Sequence, residues 1–278
     1  MTAAVAGTVR EALVSATDAI AAAGAQMPRL DAELMLSAAT GLDRAQLVAE
    51  PEAGVGAPAA RTFGAMVRRR IEREPVAYIL GRKGFRHLEL DVDSRVLIPR
   101  PETELLVELA LELRPRAVLD VGTGSGAVAL AIADELPEAA VVATDTSLDA
   151  LAVAQTNRDR LGFGERVRLS YGSLEPGAFE LVLANLPYVS EGEWQGLAPE
   201  IRGFEPREAL VAGPSGLEAI ELLLADLSLA PDRPSAVALE LGAGQAATVA
   251  ELVRRAGFER VEARRDLAGI ERVVVGWT

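Results

Sequence analysis

Four consecutive residues, Asn185, Leu186, Pro187 and Tyr188, are of the types needed to hold a flat, nitrogen-bearing group. They follow an apolar run from Phe179 to Ala184 that reads as a strand, so they stand where that strand opens into a loop. An amide or exocyclic amine nitrogen is a weak nucleophile because its lone pair is delocalised. A site that makes it react needs acceptors for its N–H groups and a flat surface against its plane. Asn185 offers a side-chain carbonyl, Leu186 a backbone carbonyl that Pro187 helps to fix, and Tyr188 a ring. The same residues also suit an ordinary strand-to-loop turn, so the tetrapeptide alone does not decide.

A second group stands upstream. Asp120, Val121, Gly122, Thr123, Gly124, Ser125 and Gly126 follow a predicted strand, Ala117 to Asp120, and open a helix. Glycines let a backbone approach a ligand closely and adopt positive φ. A strand-to-helix turn in an open parallel sheet lies at the carboxyl edge, where ligands bind. Asp145 ends the next predicted strand and can accept hydrogen bonds from both hydroxyls of a ribose. Gly122, Gly124 and Ala127 also fit the dinucleotide fingerprint, with its acid about twenty residues on. On these residues alone a nicotinamide enzyme and a purely structural turn stay open. A hydride-transfer enzyme, however, has no particular use for the tetrapeptide at the same sheet edge.

These groups need a scaffold, and the chain supplies a repeating one. From Pro115 onward strands alternate with helices: strands at 139–143, 167–171, 179–184 and 236–241, helices at 147–161 and 217–227, and a closing antiparallel pair at 261–264 and 273–277. That alternation predicts an α/β fold with a mostly parallel sheet covered on both faces. Residues 84–98 read as a β-hairpin with Asp93-Ser94 as its turn, and Glu102 to Leu113 as a helix. The first 83 residues read as helices. Val5, Val9, Leu13, Ala16 and Ile20 mark one apolar face, Leu30, Leu34 and Ala38 a second, and Phe63, Met66, Val67 and Ile71 a third. The expected division is a helical domain over 1–83, a hairpin linker over 84–98 and a catalytic domain over 99–278.

Composition narrows the chemistry. The 278 residues contain no cysteine and one histidine, His87, so thiolate metal sites, a Cys nucleophile and disulfides are excluded and no metal is expected. His87 itself reads as a surface or hairpin residue. Half the residues are apolar, yet no uninterrupted apolar run has the length of a membrane span, so a cytoplasmic location is expected. The net charge of −13 disfavours stand-alone binding to nucleic acid. One stretch runs against it: Arg61, Arg68, Arg69, Arg70, Arg73, Arg82, Lys83 and Arg86 face only Glu72 and Glu74. It reads either as a solvated helix face or as a docking surface for an acidic partner or ribosomal RNA.

The order of these motifs resembles the release-factor glutamine N5-methyltransferases. The similarity covers nearly the whole chain and is strongest from Arg73. It rests on Arg73-Glu-Pro-Val-Ala-Tyr78, Leu97-Ile-Pro-Arg-Pro-Glu-Thr-Glu104, the turn from Asp120 to Gly126, Asp145, Asn185 to Tyr188, Phe204-Glu-Pro-Arg-Glu-Ala-Leu210 and Leu239-Glu-Leu-Gly-Ala-Gly-Gln245. Asn185 to Tyr188 is similar to the [Asn/Asp/Ser]-Pro-Pro-[Tyr/Phe/Trp] signature of methyltransferases acting on planar nitrogens, with Leu186 at a usual proline. The resemblance implies a class I, Rossmann-like methyltransferase fold with a seven-stranded sheet behind a helical substrate-docking domain. It implies S-adenosylmethionine as methyl donor, S-adenosylhomocysteine as product, and the Gly-Gly-Gln glutamine of class I peptide-chain release factors as substrate, with ribosome proximity; no membrane partner is expected, and nothing in the sequence demands more than a monomer. Gly122, Thr123, Gly124, Ser125 and Gly126 would approach the methionine part and Asp145 the ribose. Ser173 and Leu174 would border the adenine, where the family often has an Asp. Asn185, Leu186, Pro187 and Tyr188 would hold the glutamine amide, with Asn185 also near the donor and Phe85 lining the substrate pocket. Asn185, Pro187 and Tyr188 would form the catalytic group, with no general base. Arg100 with Glu104, and Glu205 with Arg207, are expected to order the crevice and the loop over 191–203. The main alternative is an N6-adenine methyltransferase acting on nucleic acid, which would need a basic groove; a scaffold that only docks on release factors would have no use for the glycine turn.

Overall fold

The computed structural model describes residues 5–278, and these form two compact units: residues 5–81 with 198–204, and residues 82–197 with 205–278. Residues 1–4 of the expected helical domain lie outside the described residues.

The first unit begins with β1 (Val5–Thr8), followed by α1 (Val9–Ala22), α2 (Pro28–Thr40), α3 (Arg44–Ala49), β2 (Gly54–Gly56), α4 (Ala57–Ile71) and α5 (Val76–Leu80). Val5 does not join the first helix, as its spacing suggested, but pairs with Gly56 in an antiparallel β1–β2 ribbon. The start of α1 is fixed downstream of it by a capping box. Thr8 Oγ1 accepts from the Glu11 N–H at 3.2 Å, and Glu11 accepts from the Thr8 N–H at 2.9 Å. Leu13, Ile20, Met35, Leu36 and Phe63 then fill one core.

Two helix faces differ from the apolar spacing. In α2 the buried side is Asp31, Ala32, Glu33, Met35 and Leu36, not Leu30, Leu34 and Ala38. In α4 Arg70 is buried while Ile71 is 39% exposed. Charge pairing accounts for both rotations. Arg70 donates to Asp31 at 2.8 Å and to Glu200 at 3.1 Å. Arg73 donates to the other Glu200 oxygen at 2.6 Å and to the Ala23 carbonyl at 2.7 Å. Burial acts to raise Glu200, yet the hydrogen bonds from Arg73 and Arg70 leave its carboxyl below the usual range. Arg69 pairs with Glu74 at 2.6 Å, and in the second unit Arg82 and Arg86 also have acidic partners. Much of the basic stretch is therefore neutralised within the fold.

The second unit opens with the hairpin β3 (Arg82–Phe85) and β4 (Leu88–Asp91). Its turn is Arg86-His87, seven residues before the expected one. Arg86 holds it there, bonded through its guanidinium to Glu135 at 2.8 and 2.7 Å and through its N–H to Glu104 at 3.2 Å. Val92, Val96 and Ile98 are buried without forming a strand. His87 lies at the surface. Then come α6 (Glu104–Leu113), β5 (Ala117–Val121), α7 (Ala127–Glu135), β6 (Ala140–Asp145), α8 (Leu148–Leu161), β7 (Val167–Tyr171), β8 (Leu181–Ala184), β9 (Val189–Ser190), α9 (Pro199–Phe204, which groups with the first unit), β10 (Val211–Gly213), α10 (Glu218–Leu229), β11 (Ala236–Glu240), α11 (Ala246–Arg255), β12 (Arg260–Arg265) and β13 (Glu271–Trp277).

Seven strands form one sheet in the order β12-β13-β11-β8-β5-β6-β7, parallel except where β13 meets its neighbours. Each central strand alternates between two cores. Leu181 and Leu183 of β8 face the core built with α6 and α7, while Val182 and Ala184 face the one built with α10 and α11. Continuously apolar strands follow from a sheet covered on both sides. The strand order reverses direction between β5 and β8, and that switch point is where an open α/β sheet leaves a crevice.

Candidate active site

The carboxyl ends of β5, β6 and β8 converge on a cleft of about 960 Å³, open solvent at its mouth included. It is lined by the glycine turn, Asp145, Asn185, Leu186, Pro187, Thr103, Arg100 and the Arg95–Pro99 wall.

The turn is held from below and from the side. Gly122 and Thr123 both donate their N–H groups to the Thr144 carbonyl at 2.9 Å. Gly122, Gly124 and Gly126 have φ of 73°, 57° and 85°, which a side chain would strain. A Cβ on Gly122 would also press on Leu186 at 3.0 Å, whereas one on Gly124 would meet nothing. Asp120 sits under the turn, 2% exposed, and accepts from the Thr123 hydroxyl at 2.7 Å and the Ala129 N–H at 3.2 Å. Burial pushes its carboxyl up to about 6 against those hydrogen bonds, with Asp145 adding to the rise. Asp145 accepts from the Gly124 N–H at 2.9 Å and the Ser147 N–H at 2.8 Å. Burial raises it as well, opposed by these backbone donors.

The tetrapeptide splits between two surroundings. The Asn185 amide donates to the Thr103 hydroxyl at 3.0 Å. Leu186 and Pro187 face the cleft. Tyr188 packs against the turn after β11, where a Cβ on Gly242 would come within 3.3 Å of its ring. Gln245 donates to the Tyr188 carbonyl at 3.0 Å and accepts from the Gly242 N–H at 2.8 Å. A Cβ on Gly216 would stand 2.6 Å from that same carbonyl. Burial, with Glu240 next to it, pushes the Tyr188 phenol up to about 12, so it stays neutral at physiological pH.

Three expected site residues lie elsewhere. Phe85 is 2% exposed in the core with Leu90 and Leu106, because the early hairpin turn directs it inward. Leu174 lines a separate cavity with Phe179, Val182 and Leu227. Ser173 meets β6 through its backbone, its carbonyl accepting from the Thr144 hydroxyl at 3.2 Å. The expected ion pairs are also exchanged. Arg100 bonds Glu205 at 2.5 Å rather than Glu104, and Arg207 stacks over Trp194 with 5.7 Å to the ring centroid. Glu205 also accepts from the Ile98 N–H at 3.2 Å, so it pins the wall opposite the glycine turn.

Asn157 carried no signal in the sequence, and Glu240 stood there only within the Leu239–Gln245 stretch. Asn157 of α8 is fully buried, donates to the carbonyls of Asp91 and Ser125 at 2.9 Å, and accepts from the Asp91 N–H at 2.7 Å. It thereby ties the glycine turn to the hairpin. Glu240 ends β11 at 1% exposure, and alternation along the strand turns it to the α6 side, with Ala236 and Ala238. Its second oxygen, Oε2, is buried without a partner. Burial pushes Glu240 up to about 7, with Thr103 opposing and Glu102 adding. Stability linked to this group is therefore present below its unfolded value near 4.5 and lost as pH rises through about 7. Glu240→Gln, which resembles the protonated form, is expected to exceed the wild type in stability by on the order of 2–3 kcal/mol at pH 8 and to match it near pH 4.5. Urea melts at the two pH values check this.

Sequence comparison follows the same outline. The family pattern described as "PrmC N-terminal domain" matches residues 11–81, and that of the "Methyltransferase small domain" matches residues 84–200. The chain is 38% identical over 277 residues to a release factor glutamine methyltransferase of Caulobacter vibrioides, covering 97% of this chain and 96% of the relative. It is 40% identical to one of Geobacter sulfurreducens, again covering 97% and 96%. Among solved structures, the hMettl16 catalytic domain in complex with MAT2A 3′UTR hairpin 6 aligns with a TM-score of 0.58 at 15% identity, over 68% of this chain and 74% of that one, a likeness of fold. With glycine turn, Asp145 and Asn185 gathered at one sheet edge and full-length similarity above 35%, the chain belongs to the release factor glutamine methyltransferase family.

Proposed function

We propose that this protein transfers a methyl group from S-adenosylmethionine to the side-chain amide nitrogen (N5) of the glutamine in the Gly-Gly-Gln motif of class I peptide-chain release factors. The observation that carries this reading is the meeting of Asn185, Leu186 and Pro187 with the glycine turn and Asp145 in one cleft. The residues fit the donor. The space above Gly124 is open, and Asp145 keeps a carboxylate in the cleft.

Bound S-adenosylmethionine supplies a methyl group already activated on a sulfonium. The protein's part is alignment, which brings reacting atoms into line at little further entropic cost. Asn185 Oδ1 and the Leu186 carbonyl accept the two N–H groups of the glutamine amide. Tyr188, neutral throughout, backs the amide plane. No side chain need remove a proton first, because methylation makes the nitrogen acidic and its proton leaves to solvent. Asp145 would hold the ribose hydroxyls and the backbone of Gly122 to Gly126 the methionine end. The helical unit, residues 1–83 in the sequence division, would dock the release factor. Action on a release factor agrees with a cytoplasmic monomer working near the ribosome, and among the described residues no helix is long and apolar enough to cross a membrane.

The test is mass spectrometry of a purified class I release factor after incubation with the protein and donor. A single added methyl group on the Gly-Gly-Gln glutamine is expected. Methylated adenine in a nucleic acid, with the release factor unchanged, would overturn the reading. Asp145→Ala is expected to weaken donor binding by about 100-fold, because it removes a charged acceptor and frees the Gly124 and Ser147 N–H groups. Calorimetric titration measures it.

A further inference from the structure

Gln245 stands at the start of α11 and is not one of the residues that line the cleft, yet its side chain joins Tyr188, Gly216 and Gly242. Its Nε2 donates to the Tyr188 carbonyl at 3.0 Å and, at 3.4 Å, to the Gly216 carbonyl in the turn before α10. Its Oε1 accepts from the Gly242 N–H at 2.8 Å. These partners fix which way the amide faces. A turned amide would set donor against donor and acceptor against acceptor. The helix makes no claim on this side chain. Gln245 occupies the position before α11 where Ser, Thr, Asp or Asn would accept from the first helical N–H groups, and it forms no such bond. Two glycines leave room for the arrangement. A Cβ on Gly216 would stand 3.2 Å from Gln245 Nε2 as well as against the Tyr188 carbonyl, and one on Gly242 would press on the Tyr188 ring. Fixing that carbonyl fixes the peptide plane that follows Tyr188, and with it the direction in which Cβ carries the ring.

We propose that Gln245 is a positioning residue: through the Tyr188 carbonyl it sets the ring that backs the substrate amide. The proposal rests on the functional reading above and extends it to a residue outside the tetrapeptide. The competing role is local, in which Gln245 only closes its own turn through the Gly242 N–H. The two roles use opposite ends of one side chain, so a single substitution separates them. Gln245→Glu has nearly the same shape and keeps an acceptor for Gly242. Its carboxylate has no proton for Tyr188 and sets oxygen against oxygen there. Gln245→Met keeps the length of the side chain and removes both ends.

The experiment compares wild type, Gln245→Glu, Gln245→Met, Tyr188→Ala and the variant carrying both Gln245→Glu and Tyr188→Ala. It reads kcat at saturating donor and release factor, donor affinity by calorimetry, and the ring signals of 13C-labelled tyrosine. The chain has three tyrosines, Tyr78, Tyr171 and Tyr188, and Tyr188→Ala assigns the third signal. Gln245→Glu and Gln245→Met are each expected to lower kcat by on the order of 10- to 100-fold, the cost of a small misplacement beside a reacting centre. Donor affinity should not change, because the hydrogen bonds of the glycine turn do not involve Gln245. Of the three ring signals only that of Tyr188 should move. In the Tyr188→Ala background Gln245→Glu should cost less than about threefold, because its effect passes through a ring that is no longer there. A Gln245→Glu protein as fast as the wild type, or a penalty as large without the ring as with it, would overturn the proposal. A wild type that methylates no release factor, with the Tyr188 signal still moved by Gln245→Glu, overturns the functional reading alone, and an unmoved signal there overturns both. A wild type that methylates, with Gln245→Glu at full rate and the Tyr188 signal in place, overturns the positioning role alone.

Discussion

Asn185→Ala is expected to lower the rate of glutamine methylation by about 1,000-fold, the loss seen when one preorganised hydrogen-bonding group at a reacting centre is removed. The substitution takes away the side-chain acceptor, leaving the Leu186 carbonyl as the only one from the tetrapeptide. It also leaves the Thr103 hydroxyl without its 3.0 Å partner. The glycine turn and Asp145 do not depend on Asn185 for their hydrogen bonds, so donor affinity should change little. Single-turnover rates with a purified release factor, beside donor titration, give the two quantities separately. Asn185→Asp sharpens the point. It keeps an acceptor oxygen for the substrate amide while losing the N–H that bonds Thr103, so more of the rate should survive than in Asn185→Ala. A wild-type rate in Asn185→Ala would mean that the amide is held by other groups.

Arg70→Ala should destabilise the first unit by about 3–5 kcal/mol, the scale for breaking a buried ion pair by removing one partner. The Arg70 side chain is 7% exposed and bonds both Asp31 of α2 and Glu200 of α9. Its removal leaves Asp31 buried without this cation and Glu200 with Arg73 alone. The exposed pair Arg10–Glu52, with side chains 59% and 70% accessible, makes the control, and Arg10→Ala should cost under about 1 kcal/mol. Denaturant unfolding of the full chain measures both. An Arg70→Ala protein as stable as the wild type would mean that the acids are reached by water or by other cations once the guanidinium is gone. Because α9 lies between the tetrapeptide and Glu205 in sequence, the same variant also tests whether anchoring of that segment matters for methylation.

The α/β alternation after Pro115, the glycine turn, Asp145 and the Asn185–Tyr188 tetrapeptide were legible because each is local. Strand period, positive-φ turns and a motif at a strand end are written in consecutive residues. So was the family, since the motifs recur in order along the whole chain. What failed had a common cause. The apolar spacing of α2 and α4 pointed to Leu34 and Ile71, but Asp31 and Arg70 are buried instead, because they pair with each other across 39 residues and Arg70 also reaches Glu200 across 130. The hairpin turn moved to Arg86 because Glu104 and Glu135, distant in sequence, hold it. Phe85 followed that turn into the core.

The site divides along the same line. By itself the sequence determined which candidate groups stand at the strand ends that face the cleft, because their types and order are local. Only the tertiary structure decided how those groups are oriented. Thr103 and Asn185 are 82 residues apart, Gln245 and Tyr188 are 57 apart, and Asn157 reaches Ser125 across 32. A hydrogen bond has a direction that depends on where both partners finally stand, and no spacing along the chain records it.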